Sequence, residues 1–221
     1  MTAQDPDEDV RRLSGEALRE GDATGWFERL YAEAADGQAV VPWDRQAPHP
    51  LLVEWIEQRP ALSGSRTLVV GSGLGDDAAY LAAQGFRVIA FDISRSAIDA
   101  ARRRFPTSPV DFRVADLLNP PAEWREHFDL VVETNTTQSL PVRLRPTVVL
   151  HIGRFVAPGG TLLVLAFARD SDEPLDGPPW PLTRADIESF AVEGLEIVSV
   201  EEIRDLPETH RWRAVLSRSL E

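Results

Sequence analysis

The chain has 221 residues, 43% of them hydrophobic and 27% charged, which suits one α/β domain with a sizeable core. A formal net charge of −13 argues against a nucleic-acid backbone as partner, and no apolar run approaches the length of a bilayer span or forms a signal-peptide core. Cysteine and lysine are both absent, which excludes disulfides, thiolate metal sites, a cysteine nucleophile and a lysine Schiff base.

Residues 1 to 22 are acidic and poor in large apolar side chains, so a loose tail is expected, although Leu13 and Leu18 could share a helix face. Residues 23 to 221 read as one domain. Trp26, Phe27, Leu30 and Tyr31 fall at helical spacing, with Thr24 as a candidate N-cap. A proline-punctuated loop follows, Val40 to Pro50, carrying Trp43, an Asp44–Arg45 pair expected to fix the loop, and His49. Leu51, Leu52, Trp55 and Ile56 line the apolar side of a further helix.

The first strand is Thr67–Val70. It stops at Gly71-Ser72-Gly73-Leu74-Gly75, and a helix starts at Asp76 and ends at Gly85. Strand–helix units repeat from there. Strands are expected at Arg87–Phe91, Val110–Val114, Phe128–Val132 and Thr161–Ala166. Helices are expected after Ser94 and from Pro141 to Phe155. A long loop, Arg169 to Leu182, precedes a helix capped by Thr183. Strands Leu195–Ile203 and Arg211–Leu216 close the chain as an antiparallel pair. The fold class is therefore α/β: a Rossmann-like, seven-stranded, mostly parallel sheet with helices on both faces.

In such sheets the ligand sits at the carboxyl ends of the strands, where the order reverses. The glycine turn lies there, and three strand ends carry acids: Asp92, Asp116 and Glu133. Asp92 stands where a carboxylate accepts bonds from ribose hydroxyls, which suits a nicotinamide dinucleotide or S-adenosylmethionine. Asp76 occupies the third-glycine position of G-x-G-x-x-G, where it would repel a diphosphate; a sulfonium donor carries no phosphate. Asp116 and Leu117 are placed to meet an adenine amino group. This balance favours S-adenosylmethionine.

The runs VVGSGLGDDAAYLAAQGFRVIAFDIS, FRVADLL, FDLVVETNTTQSLP and FVAPGGTLLVLAF resemble a class I S-adenosylmethionine-dependent methyltransferase. The upstream VPWDRQAPHP, a W-D-x-x-x-P-x-P element, resembles the thiopurine, thiol, halide and thiocyanate methyltransferase-like group, with Ser72 where that group usually has cysteine. The resemblance implies that Gly71, Ser72 and Gly73 face the methionine half of the cofactor. It implies that Asp92 holds the ribose and Ile93 meets the adenine, with Asp116 and Leu117 at the adenine edge. Glu133, Thr134 and Thr136 would border the ammonium and methyl, and the resemblance implies an N-terminal helical lid from which Trp26 and Trp43 would close over the cofactor. As plain core, Trp26 would need no ligand, and Trp180 could flank the substrate mouth or only anchor its loop.

For an oxygen or nitrogen nucleophile the candidate bases are His49, Glu133 and Asp44, against a solvated turn for His49. His127, His151 and His210 read as surface or helix positions, and no metal is expected. The expected function is methyl transfer to a small molecule, with sulfur or another soft nucleophile as acceptor. The alternatives are a non-catalytic S-adenosylmethionine-binding module and a nicotinamide-dependent oxidoreductase. The expected setting is cytoplasmic, as a monomer or homodimer, without nucleic acid or membrane.

Overall fold

A computed structural model describes residues 6–170, 175, 177–206 and 209–220. Seven strands form one sheet: β1 (Arg66–Val70), β2 (Arg87–Asp92), β3 (Asp111–Val114), β4 (Phe128–Thr134), β5 (Val156–Phe167), β6 (Leu195–Leu206) and β7 (Thr209–Arg218). Their order is β3-β2-β1-β4-β5-β7-β6, and β7 runs antiparallel to both neighbours. The order reverses between β1 and β4, which opens a crevice at their carboxyl ends.

Strand alternation divides the core. Val69, Ala90, Leu130 and Leu163 pack toward α3 (Pro50–Glu57), α4 (Asp76–Ala83) and α5 (Arg95–Arg104), through Leu52, Trp55, Leu81 and Ile98. Val70, Phe91, Val131 and Val164 pack toward α6 (Arg145–Phe155) and α7 (Arg184–Glu188), through Val148, Ile152, Phe155 and Ile187. The predicted caps Ser94 and Thr183 form: Ser94 Oγ accepts from the Ala97 N–H, and Thr183 makes a reciprocal box with Asp186.

Several expectations change. Over the described part of the tail expected to be loose there is a helix, α1 (Pro6–Arg19), which buries Val10, Leu13 and Ala17 against Trp26 and Leu30 of α2 (Gly25–Ala35), while residues 1–5 of that tail lie outside the described residues. Its apolar stripe is short, and it is buried because α2 supplies the other half of the interface. Thr24 makes no side-chain cap; Asp22 Oδ1 accepts from the Thr24 and Gly25 N–H groups at 3.0 and 2.8 Å. β5 starts at Val156, so Ala157 to Gly160 lie within the strand.

The α1–α2 pair is joined to the sheet domain by Glu28. Its carboxylate accepts from Ser94 Oγ at 2.6 Å, Ser96 Oγ at 2.7 Å and the Ser96 N–H at 3.1 Å, at the start of α5. Burial alone would raise the Glu28 carboxyl, but the Ser94 and Ser96 donors outweigh it and hold it below its ordinary value. Glu28→Ala is expected to cost about 2 kcal/mol in urea denaturation, since it removes charge-assisted hydrogen bonds across that seam.

Candidate active site

The turn after β1 is built from glycines with left-handed backbone. Gly71, Gly73 and Gly75 have φ of 59°, 50° and 88°. At Gly73 the neighbours are as restrictive as the backbone: a Cβ there would lie 2.8 Å from Tyr31 Oη. The turn borders a cavity of about 560 Å³ at the carboxyl ends of β1, β2 and β4.

Eleven of the twelve expected cofactor residues line this one cavity: Trp26, Trp43, Gly71, Ser72, Gly73, Asp92, Ile93, Asp116, Leu117, Thr134 and Thr136. Asp92 is buried, and its two oxygens accept from the Gly73 and Ser94 N–H groups, each at 2.9 Å. Burial raises its carboxyl above the ordinary value, and the N–H donors oppose that rise. The Ile93 N–H also bears on this carboxylate, which still has lone-pair capacity left for a ligand hydroxyl. Asp116 Oδ1 accepts from the Leu118 N–H at 2.8 Å. Ser72 Oγ is buried without a hydrogen-bond partner among the described residues. This set of small-residue backbone, carboxylates and open polar atoms fits the nucleoside and amino-acid halves of S-adenosylmethionine.

Glu133 is the exception. Side chains alternate along β4, so Glu133 turns toward α6 while Thr134 turns toward α4, where its Oγ1 donates to Asp77 Oδ2 at 3.1 Å. Glu133 is fully buried behind the cavity wall and does not border the ligand space. Its Oε1 accepts from the Thr137 N–H at 2.8 Å. Burial pushes its carboxyl up to about 7. The folded state therefore favours the protonated form. That contribution to stability is complete below the ordinary value of 4.5 and is lost as pH rises through about 7. Glu133→Gln is expected to flatten this decline, gaining stability over the parent in melts at about pH 8 but not at about pH 5.

The histidine and the Asp–Arg pair are also corrected. His49 is buried rather than solvated, and its Nδ1 caps α3 by accepting from the Leu51 N–H. Its backbone N–H donates to Asp77 Oδ1 at 2.7 Å, which fastens the Trp43 loop to α4. Asp44 pairs not with Arg45 but with Arg104, at 2.7 Å. The same guanidinium reaches Asp76 at 2.9 Å, so one positive charge is shared by two carboxylates and the helix start keeps a net negative charge that would repel a diphosphate. The two aspartates lie close enough for one arginine to serve both, a proximity no local pattern reveals.

Three aromatic side chains, Trp26, Tyr31 and Trp43, close the cavity from the N-terminal side. Trp43 Nε1 donates to Tyr31 Oη at 2.7 Å, and the Trp43 ring meets Trp26 edge-on at 6.1 Å. Tyr31 was visible in the sequence only as part of a helical stripe; its hydroxyl, beside Gly73, makes it part of the site. Burial, and next the nearby Asp92, push the Tyr31 phenol well up. Trp180 anchors its loop: its N–H donates to the Gln138 carbonyl at 2.7 Å, while the neighbouring Pro178 and Pro179 line the cavity. Away from the cavity, Asp170, Glu202 and His210 converge, but Arg204 donates to both carboxylates and supplies the positive charge there.

The fold and this site define an S-adenosylmethionine-dependent methyltransferase of class I, so the nicotinamide alternative gives way. The chain belongs to the thiopurine S-methyltransferase family, whose model matches residues 25–220. It is 28% identical to a probable thiol methyltransferase 2 of Arabidopsis thaliana, over 79% of this chain and 80% of that one. Identity is 31% to a 2-heptyl-1-hydroxyquinolin-4(1H)-one methyltransferase of Mycobacteroides abscessus, over 69% and 68% of the two chains. Among solved structures, the fold is similar to the 1,6-didemethyltoxoflavin-N1-methyltransferase of Burkholderia thailandensis, with a TM-score of 0.68 and 17% identity over 99% of this chain and 92% of that one. Among the described residues no helix is long and apolar enough to cross a membrane.

Proposed function

We propose that this enzyme methylates a small molecule at sulfur or a comparably soft nucleophile. The observation that carries the reading is that each candidate base among the described residues is either engaged within the protein or sealed from the cavity. Of the three candidates, His49 borders the cavity but its Nδ1 caps α3, Asp44 borders it paired with Arg104, and Glu133 is sealed behind the wall. A thiolate needs no such base, because it arrives with its lone pair ready. The thiol and thiocyanate methyltransferases among its relatives support the same acceptor class.

When bound, the cofactor supplies a methyl group already activated by a sulfonium. The acceptor's lone pair forms the new bond to carbon as the carbon–sulfur bond breaks toward sulfur. In this reading the chain's residues bind, align and exclude water. Asp92 accepts from the ribose hydroxyls, and Ile93, Asp116 and Leu117 hold the adenine. Gly71 to Gly73 let the backbone approach the methionine half, Thr134 and Thr136 border the reacting end, and Trp26, Trp43 and Tyr31 cover it. A methyl-transfer assay against thiols, halides, thiocyanate, phenols and amines tests the reading. Turnover is expected with thiols and other soft anions, and a clear preference for amines or phenols would overturn it.

A further inference from the structure

Beyond β3 the chain turns through Ala115 to Asn119, and Ala115, Asp116, Leu117 and Leu118 border the cavity. β3 ends the sheet with β2 as its one neighbour, so the sheet supports this turn from one side only. The Ala115 N–H donates to the Asp92 carbonyl at 3.0 Å, which ties the turn to β2. Two further bonds stay inside the turn: the Leu118 N–H to Asp116 Oδ1 and the Asn119 N–H to the Asp116 carbonyl.

On the other side the support comes from α6. His151 Nδ1 lies 2.7 Å from the Leu117 carbonyl oxygen. A carbonyl can only accept, so Nδ1 carries the proton and the tautomer is set. His151 follows Val148 by three residues and precedes Phe155 by four, and both of these are buried. Its ring therefore leaves the helix at the edge of the packed stripe, half-buried, where a rigid element can hold it in place. Leu117 is buried in the same core as Val148 and Ile152 while also bordering the cavity. The bond thus fixes the backbone of a residue that faces both ways. His151 itself is not among the residues that line the cavity.

We propose that His151 is a positioning residue for the base of the cofactor: through the Leu117 carbonyl it holds Asp116 and Leu117 where they meet the adenine amino group. This rests on the functional reading above, which gives those two residues the adenine edge, and it adds a residue from behind the wall. A site built to hydrogen-bond a ligand group rejects an analogue that lacks it, but only while its own groups are held in place. S-Inosylhomocysteine is the analogue for this edge. It carries a carbonyl in place of the amino group and a proton on the adjacent ring nitrogen.

The test is calorimetry on the full chain with S-adenosylhomocysteine and S-inosylhomocysteine. The parent is expected to favour the adenine form by about tenfold or more. His151→Leu removes the donor. Its affinity for S-adenosylhomocysteine should fall about fivefold to tenfold and that for the inosine form less than about twofold, so the ratio narrows. His151→Asn sets an amide N–H near the former Nδ1 and should restore most of the ratio. Nitrogen-15 NMR of the parent should find the Nδ1–H tautomer at His151, a readout that stands even if His151→Leu does not fold. The proposal is overturned if the parent binds both ligands alike, if His151→Leu weakens both equally or keeps the ratio, if His151→Asn does no better than His151→Leu, or if the imidazole is the Nε2–H tautomer. A parent that binds no S-adenosylhomocysteine would overturn the functional reading itself, and this inference with it.

Discussion

Gly73→Val is expected to lower affinity for S-adenosylhomocysteine by a hundredfold or more in calorimetry, on the order of 3 kcal/mol. Two costs combine. The backbone at Gly73 has φ of 50°, which a β-branched residue adopts only with strain. Its Cβ would also stand 2.8 Å from Tyr31 Oη, and Trp43 Nε1 lies 3.9 Å away. Tyr31 cannot retreat easily, because its ring is buried and its hydroxyl accepts from Trp43. The extra methyls would therefore push into the ligand space or prise the lid from the turn. Binding within threefold of the parent would show that the cofactor does not approach this turn.

Asp92→Ala is expected to have a comparable effect with a different signature. The carboxylate organises the empty turn as well as the proposed ribose contact, since it accepts from the Gly73 and Ser94 N–H groups. Its removal strands two buried donors, each costing about 1–3 kcal/mol. The variant should lose stability in denaturant titration and lose measurable binding of S-adenosylhomocysteine. Asp92→Asn separates the two roles. One amide oxygen can still serve one backbone donor, so stability should recover in part while affinity stays low. Full affinity in Asp92→Asn would remove the charged carboxylate from the binding site.

These expectations draw on features legible at different ranges. The glycine turn, the strand-end aspartates Asp92 and Asp116, and the caps Ser94 and Thr183 are all signals within a few residues. Each follows from a backbone requirement: a left-handed turn, an orphan N–H group, an abrupt end to an apolar run. That the aspartates and the turn line one cavity also follows, because parallel strands bring their carboxyl ends to one edge of the sheet.

By itself, then, the sequence determined the sheet, the crevice and nearly all of its candidate cofactor lining, because these depend on periodicity and short-range backbone chemistry. The tertiary structure alone decided which side chains face which. It turned Glu133 away from the ligand space, gave Asp44 to Arg104 across 60 residues of chain, ordered α1 against α2, and tied the Gln138 amide oxygen to the Phe167 N–H. Charge pairs and buried amides take their partners from packing, and packing brings together residues that no local pattern relates.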